Sequence, residues 1–343
     1  MLKKLTSLCL LFCFTLTILT SCSPKPNEPA AQSSSPIVVT DQIGREVTLP
    51  AKPEKIVSSY YITTSLLIAL EAQDQLVGIE MKANEREIYK KAAPKLLELP
   101  AVGSGKGLNI EQIAALSPDL VIIPSRLQDS VEQLETLNIP VIVVEPETID
   151  QFMDCVTLLG QAIGKEERAS QLMGFYQDTM SMVNGLTQNI TQRPNVYLSG
   201  SGDILTTCTS KMVQNDIIQM AGGNNVSSQL TDGYWTTIST EQLLAWNPDY
   251  ILPVSYASYT TDDIRNNPAL AGVNAIKNNH VFLFPSAIEP WDYPTPSSIL
   301  GILWLTSTLH PDLYSPDEYL KVASNFYKTY FNIDVTAEEL GVY

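Results

Sequence analysis

Glu111-Gln-Ile-Ala-Ala-Leu-Ser-Pro-Asp-Leu-Val-Ile-Ile-Pro-Ser125 recurs, 130 residues on and without a gap, as Glu241-Gln-Leu-Leu-Ala-Trp-Asn-Pro-Asp-Tyr-Ile-Leu-Pro-Val-Ser255. Six of the fifteen positions are identical, and most others exchange one apolar side chain for another. Each copy has the same physics. A short amphipathic helix carries Ile113 and Leu116, or Leu243 and Trp246. Ser-Pro-Asp or Asn-Pro-Asp ends it as a turn. An unbroken apolar run then suits a strand covered on both faces of a parallel sheet. That strand delivers Ser125 or Ser255 to its carboxyl end, where open α/β sheets bind ligands. Two copies are too few for a solenoid. They predict two similar lobes.

Working outward, apolar runs predict strands near 55–59, 76–79, 119–124 and 141–144 in the first half, and near 195–199, 249–254 and 280–284 in the second. Helical patterns lie near 63–72, 109–116, 128–137 and 149–160, then near 211–221, 238–246, 296–308 and 315–330. Such alternation implies βαβ units. Between the halves, Ala169, Leu172, Met173, Tyr176, Met180 and Val183 recur at helical spacing in a segment without proline. A single helix of ~25 residues there would be almost ~40 Å long and would act as a stiff connector. The fold class expected is α/β, with two similar Rossmann-like lobes joined by one long helix and a ligand cleft between them. The lobes are expected at 37–162 and 192–343, and the connecting helix at 163–191.

The N-terminus stands apart. Lys3 and Lys4 precede a mostly apolar stretch that closes at Leu19-Thr20-Ser21-Cys22. This reads as an export signal over 1–21, with Cys22 resembling the lipidated cysteine of a bacterial lipobox. Residues 22–36 then form a Pro/Ser/Ala-rich tether, and the body lies outside the cytoplasm on a lipid anchor. Of five cysteines, only Cys155 and Cys208 remain in the folded part, and two buried free thiols are favoured over a bridge.

Composition narrows the function. The chain has 343 residues, 21 basic and 37 acidic, for a formal charge of −16. That balance argues against nucleic acid, which requires a basic face. The two histidines, His280 and His310, rule out a histidine-rich metal site. Gly103-Ser-Gly-Lys-Gly107 is not a phosphate loop, because Pro100 stands where the first glycine belongs and Gly107 replaces Ser/Thr. There is no H-E-x-x-H or G-x-S-x-G motif.

Several motifs, taken in order, resemble those of the substrate-binding proteins of ABC importers for iron complexes and cobalamin. They are Val39-Thr-Asp-Gln-Ile-Gly-Arg-Glu-Val-Thr-Leu-Pro50 with Pro53-Glu-Lys-Ile-Val-Ser58, then Leu108-Asn-Ile-Glu111 with Pro118-Asp-Leu-Val121. Ala221-Gly-Gly-Asn-Asn225 and the Glu241 segment follow, and Asp292-Tyr-Pro-Thr-Pro-Ser-Ser-Ile-Leu-Gly-Ile-Leu-Trp304 leads to His310-Pro311. The resemblance covers residues 37–330 and implies a monomeric binding protein, not an enzyme. It would capture a metal chelate and hand it to an ABC permease and its ATPase, with no cofactor of its own. It also implies that Glu111 and Glu241, one per lobe, dock on the permease. The duplicated carboxylates suit a two-fold partner.

The ligand expected is an iron complex, either a siderophore or a haem-like chelate. Cobalamin and molybdate or tungstate are the alternatives, and an extracellular enzyme or chelatase on the same fold is a further one. Strand ends and the loops after them select Tyr60, Tyr61, Lys82, Gly105, Lys106, Ser125 and Arg126 in the first lobe. In the second they select Ser201, Tyr234, Trp235, Tyr256, Trp291, Asp292 and Tyr293. Aromatic walls with a few cations suit a large, partly apolar chelate. Trp235 and Trp291 are the strongest aromatic candidates.

Overall fold

The structure, a computed structural model, describes residues 35–285 and 287–341. The export signal, Cys22 and most of the tether lie outside the described residues. The first lobe holds four parallel strands, in the spatial order Leu76–Ile79, Ile56–Ser58, Leu120–Pro124 and Val141–Val144. The second holds Asn224–Asn225, Asn195–Ser199 and Tyr250–Pro253, also parallel, with an isolated bridge from Ile251 to Val281 at the edge. The two orders correspond when the repeated strands, Leu120–Pro124 and Tyr250–Pro253, are matched.

The strand expected near 280–284 is reduced to that bridge. Ile251 donates to the His280 carbonyl and Phe282 donates back to Ile251, so pairing begins as in the first lobe. The next donor on that edge is residue 253. Pro253 stands at the repeat position of Ile123 and has no N–H to give. The ladder therefore loses that bond, although the Phe284 amide still donates to the Pro253 carbonyl at 2.8 Å, and Phe282 and Leu283 are left exposed.

Alternation along the strands divides the first lobe's core. Val57, Val121, Ile123, Val141 and Val143 face Ile113 and Leu134 on the outer side. Ile56, Leu120, Ile122, Ile142 and Val144 face inward. The inner core runs on through Phe152 and Leu159 of the helix Ile149–Ala162, then Leu172, Tyr176 and Val183 of the helix Glu166–Thr187. It ends on Val196, Leu198 and Leu252 of the second sheet, whose outer face packs Tyr197, Ile251 and Leu243. One apolar core is thus shared by both lobes. The connecting helix has 22 residues and is ~33 Å long at 1.5 Å per residue. Opening the lobes widely would expose that core, which favours small closing motions.

Of the short elements that escape the periodic reading, five border the site described next: the hairpin Gly103–Ser104 with Gly107–Leu108, the pair Thr206–Cys208 with Trp235–Thr237, and the helix Glu87–Ala92. Cys155 and Cys208 are buried free thiols. Among the described residues no helix is long and apolar enough to cross a membrane.

Candidate functional site

The repeat is physical as well as textual. Asn109 Oδ1 accepts from the Gln112 amide at 3.0 Å, and Ser239 Oγ from the Gln242 amide at 3.1 Å, so both helices are capped alike. Ser117 and Asn247 end them in the left-handed region, with φ of 48° and 44°. Asp119 Oδ2 then accepts from the amides of Glu54 and Lys55, each at 2.9 Å. Asp249 Oδ2 accepts from the Asn195 amide, also at 2.9 Å. In each lobe a carboxylate therefore ties the repeated strand to its central neighbour. Glu111 and Glu241 occupy the first turns, both exposed. The backbone amides and the nearby Ser239 hydroxyl hold Glu241 below the usual carboxylate range.

The carboxyl ends of the two sheets face a cleft of about 770 Å³. Nine of the fourteen expected ligand residues line it: Tyr60, Tyr61, Lys82, Gly105, Lys106, Arg126, Tyr234, Trp235 and Tyr293. Tyr60 and Tyr61 open the helix Tyr61–Ala69 directly after the strand Ile56–Ser58. The Arg126 guanidinium lies 4.6 Å from the Tyr60 ring centroid, and its Nε donates to the Gly105 carbonyl at 3.0 Å. A side chain at Gly105 would bring a Cβ to 2.5 Å from Arg126 Nη2, so glycine lets the guanidinium lie against the hairpin. Arg86 sits 3.8 Å over the Tyr61 ring. Among the described residues, neither guanidinium forms an ion pair.

Two acids stand behind these cations, Glu80 buried and Glu147 half-buried. Glu80 accepts from Tyr89 Oη at 2.7 Å and Thr64 Oγ1 at 2.8 Å. Burial raises its pKa, against the pull of those two hydroxyls. Burial also raises Glu147, with Arg126 pulling it down and Glu145 adding to the rise. Burial pushes Tyr60 and Tyr61 well above the ordinary phenol range, so both stay protonated as hydrogen-bond donors. Across the cleft, Tyr234 Oη donates to Glu145 Oε1 at 2.9 Å, joining second lobe to first.

Five expected residues are not brought to the cleft. Trp291 is completely buried and its Nε1 donates to Tyr327 Oη at 3.0 Å, so this indole is core. Asp292 is likewise buried and accepts from Tyr256 Oη at 2.6 Å, which places both behind Tyr293. Ser125 turns aside to Glu145 Oε1 at 3.2 Å. Ser201 is exposed outside the cleft, its carbonyl accepting from the Ser258 amide. Conversely, Arg86, Glu80, Met81, Glu147, Met212 and Gln214 line the cleft without having been selected. Arg86 lies one turn beyond Lys82, in a stretch with no apolar period, and its basic charge was the available signal. Met212 and Gln214 come from the start of the helix Val213–Met220, which is not a strand end.

All four basic lining residues, Lys82, Arg86, Lys106 and Arg126, belong to the first lobe. The second contributes Met212, Val213, Gln214, Tyr234, Trp235, Tyr293 and Pro294, none of them charged. Trp235 remains 38% exposed in this wall although it is a large aromatic. The cleft therefore offers anion binding on one side and aromatic contact on the other.

A family model described as periplasmic binding protein matches residues 56–288. The molybdate-binding protein MolA of Haemophilus influenzae is 24% identical over 318 residues, covering 86% of this chain and 90% of its own. An uncharacterized ABC transporter substrate-binding lipoprotein of Bacillus subtilis, YvrC, is 24% identical over 296 residues, covering 81% and 87%. Among solved structures, a periplasmic solute binding protein from Veillonella parvula superposes with a TM-score of 0.77 at 26% identity, over 88% of this chain and 94% of that one.

Proposed function

Because the chain belongs to the periplasmic binding protein family, we propose that it captures an iron complex, an anionic chelate of siderophore or haem-like type, for delivery to an ABC permease. It is an ABC-transporter substrate-binding protein of class III. One observation carries the finer reading. Two guanidiniums, each stacked on a tyrosine and, among the described residues, neither ion-paired, face a single cleft of about 770 Å³ whose opposite wall is aromatic. Unpaired guanidiniums in a partly desolvated site gain most from an anionic, oxygen-rich surface. The volume falls in the ordinary range of small-molecule sites, ~300–1,000 Å³. Beside hydroxyl, guanidinium, ammonium and indole groups the wall carries the carboxylates of Glu80 and Glu147, but among the described residues no cluster of three or more acid, thiol or imidazole groups could hold a metal ion, which suits a ligand that brings its own chelating atoms.

A second reading rests on the likeness to MolA, which is named for molybdate. The same guanidiniums suit a tetrahedral oxyanion, but the aromatic wall would then have nothing to contact. Glu111 and Glu241 are the proposed permease contacts, and Cys22 the proposed lipid anchor at the outer face of the membrane.

Native mass spectrometry of the purified protein with a mixture of ferric catecholate and hydroxamate chelates, haemin, cobalamin and molybdate tests the reading. A retained ferric chelate or haemin is the expected outcome. Retention of molybdate alone would replace it with the oxyanion reading.

A further inference from the structure

The segment from Ile288 to Ser297 leaves the edge of the second sheet, touches the first lobe, and returns to the helix Ser298–Leu309. It carries two carboxylates that solvent does not reach, Glu289 and Asp292. An ion in such a place is costly unless its oxygens are hydrogen-bonded. Asp292 is answered within its own lobe by Tyr256. Glu289 reaches the other way. Its Oε1 accepts from Tyr61 Oη at 3.0 Å and from Ser65 Oγ, both on the first-lobe helix Tyr61–Ala69. Its Oε2 accepts from Ser297 Oγ, which precedes the second-lobe helix. The Ile88 amide donates to the Ile288 carbonyl at 3.1 Å, holding the same segment beside Arg86.

Tyr61 is the ring on which Arg86 lies. We propose that Glu289 is a positioning residue for ligand capture: it fixes Tyr61, and through that ring the Arg86 guanidinium in the cleft, while tying both to the second lobe. This rests on the reading of the cleft as an anion site. Stability alone does not require an ion at this place, since well-packed apolar residues often replace buried ions at no loss. The hydroxyls of Tyr61, Ser65 and Ser297 all donate to Glu289, which as a carboxylate can accept from all of them at once. An amide offers one oxygen, so at least one of these hydroxyls would have to turn and accept from its N–H instead.

The test compares wild type with Glu289→Gln, Tyr61→Phe and the double variant, by two readouts. The first is affinity for a ferric catecholate, haemin or molybdate, whichever wild type retains. The second is the NMR shift of the Arg86 side chain, assigned with Arg86→Lys and displaced by the Tyr61 ring current. Each single variant is expected to weaken the retained probe tenfold or more and to move the Arg86 signal. The double variant should be no worse than either alone, because both break one connection. A lowered Tm with affinity within twofold and an unmoved Arg86 signal would overturn the proposal, and so would losses that multiply. Where Glu289→Gln does not fold, Tyr61→Phe alone decides by the Arg86 signal. Should wild type retain no probe, the anion-site reading fails, and the Arg86 signal still decides the role of Glu289.

Discussion

The two lobes share their scaffold and differ in their walls. Cap, left-handed helix end, tying aspartate and buried strand recur at a fixed offset. The cleft linings do not: four cations stand on one side and no charge on the other. What is duplicated builds the sheets and presents one outward carboxylate per lobe. What is not duplicated lies in hairpins and turns, and it sets the ligand. The difference teaches that a repeat locates a cleft without describing what fills it.

The largest effect should come from the duplicated part. If Glu111 and Glu241 are equivalent contacts for a two-fold partner, Glu111→Ala with Glu241→Ala should take uptake in cells to background and leave ligand affinity unchanged. The single variants should fall by similar amounts. Uptake that depends on one glutamate alone would break the comparison, because the lobes would then be alike in fold but not in docking.

The walls come next. Losing a charge-assisted contact in a partly desolvated cleft costs about 1.5–3 kcal/mol, so Arg126→Ala and Arg86→Ala should each weaken an anionic chelate by ~10–100-fold. Trp235→Ala should cost about tenfold, since aromatic stacking is worth ~0.5–1.5 kcal/mol beyond its area. Raising the salt should narrow the arginine losses and leave the tryptophan loss as it is. Isothermal titration with the retained chelate measures both. A larger loss at Trp235 than at either arginine would reverse the assignment of the walls.

A third effect separates the two buried carboxylates of the Ile288–Ser297 segment. Burial raises Asp292 from 3.8 to about 6, while Tyr256 and Gln214 pull it down. Burial also raises Glu289. For a raised carboxyl, the folded protein holds a proton that the unfolded chain has lost. Stability therefore falls as pH climbs through the interval from 3.8 to about 6. Above it the ionised Asp292 costs on the order of 3 kcal/mol relative to an unshifted group. Asp292→Asn does not ionise, so its Tm relative to wild type should rise between pH 5 and pH 7.5. An unchanged difference across that range would mean that Asp292 is not the titrating group.

The sheets were legible because burial on both faces writes itself as apolar runs. The runs near 76–79, 141–144 and 195–199 match the observed strands. The 280–284 run misled because pairing depends on the partner, and Pro253 withholds the donor that strand needed. The cleft was less legible for a related reason. Trp291 and Trp235 stand in similarly polar stretches of sequence, but the first finds Tyr327 in the core and the second opens onto the cleft from a short strand. Only the fold distinguishes them. Arg86 and Glu289 are separated by some two hundred residues and meet through Tyr61, a relation no local pattern records.

The smallest effect returns to the walls through one glycine in each. A Cβ at Gly105 would stand 2.5 Å from Arg126 Nη2, and one at Gly200 would stand 2.8 Å from Trp235 Cζ3. The first clash is the shorter, yet it meets the end of a long side chain that can swing aside. The second meets a rigid indole edge, with Cε3 at 3.0 Å and Thr206 Cγ2 at 3.1 Å beside it. The neutral wall should therefore tolerate its alanine less well. We expect Gly105→Ala to weaken the chelate by about twofold and Gly200→Ala by about fivefold, with the indole emission of Trp235 shifted only in the latter; losses of these sizes are under ~1 kcal/mol. If Gly105→Ala costs more, the guanidinium is held too firmly by Tyr60 and the Gly105 carbonyl to move, and the charged wall is the more rigid of the two.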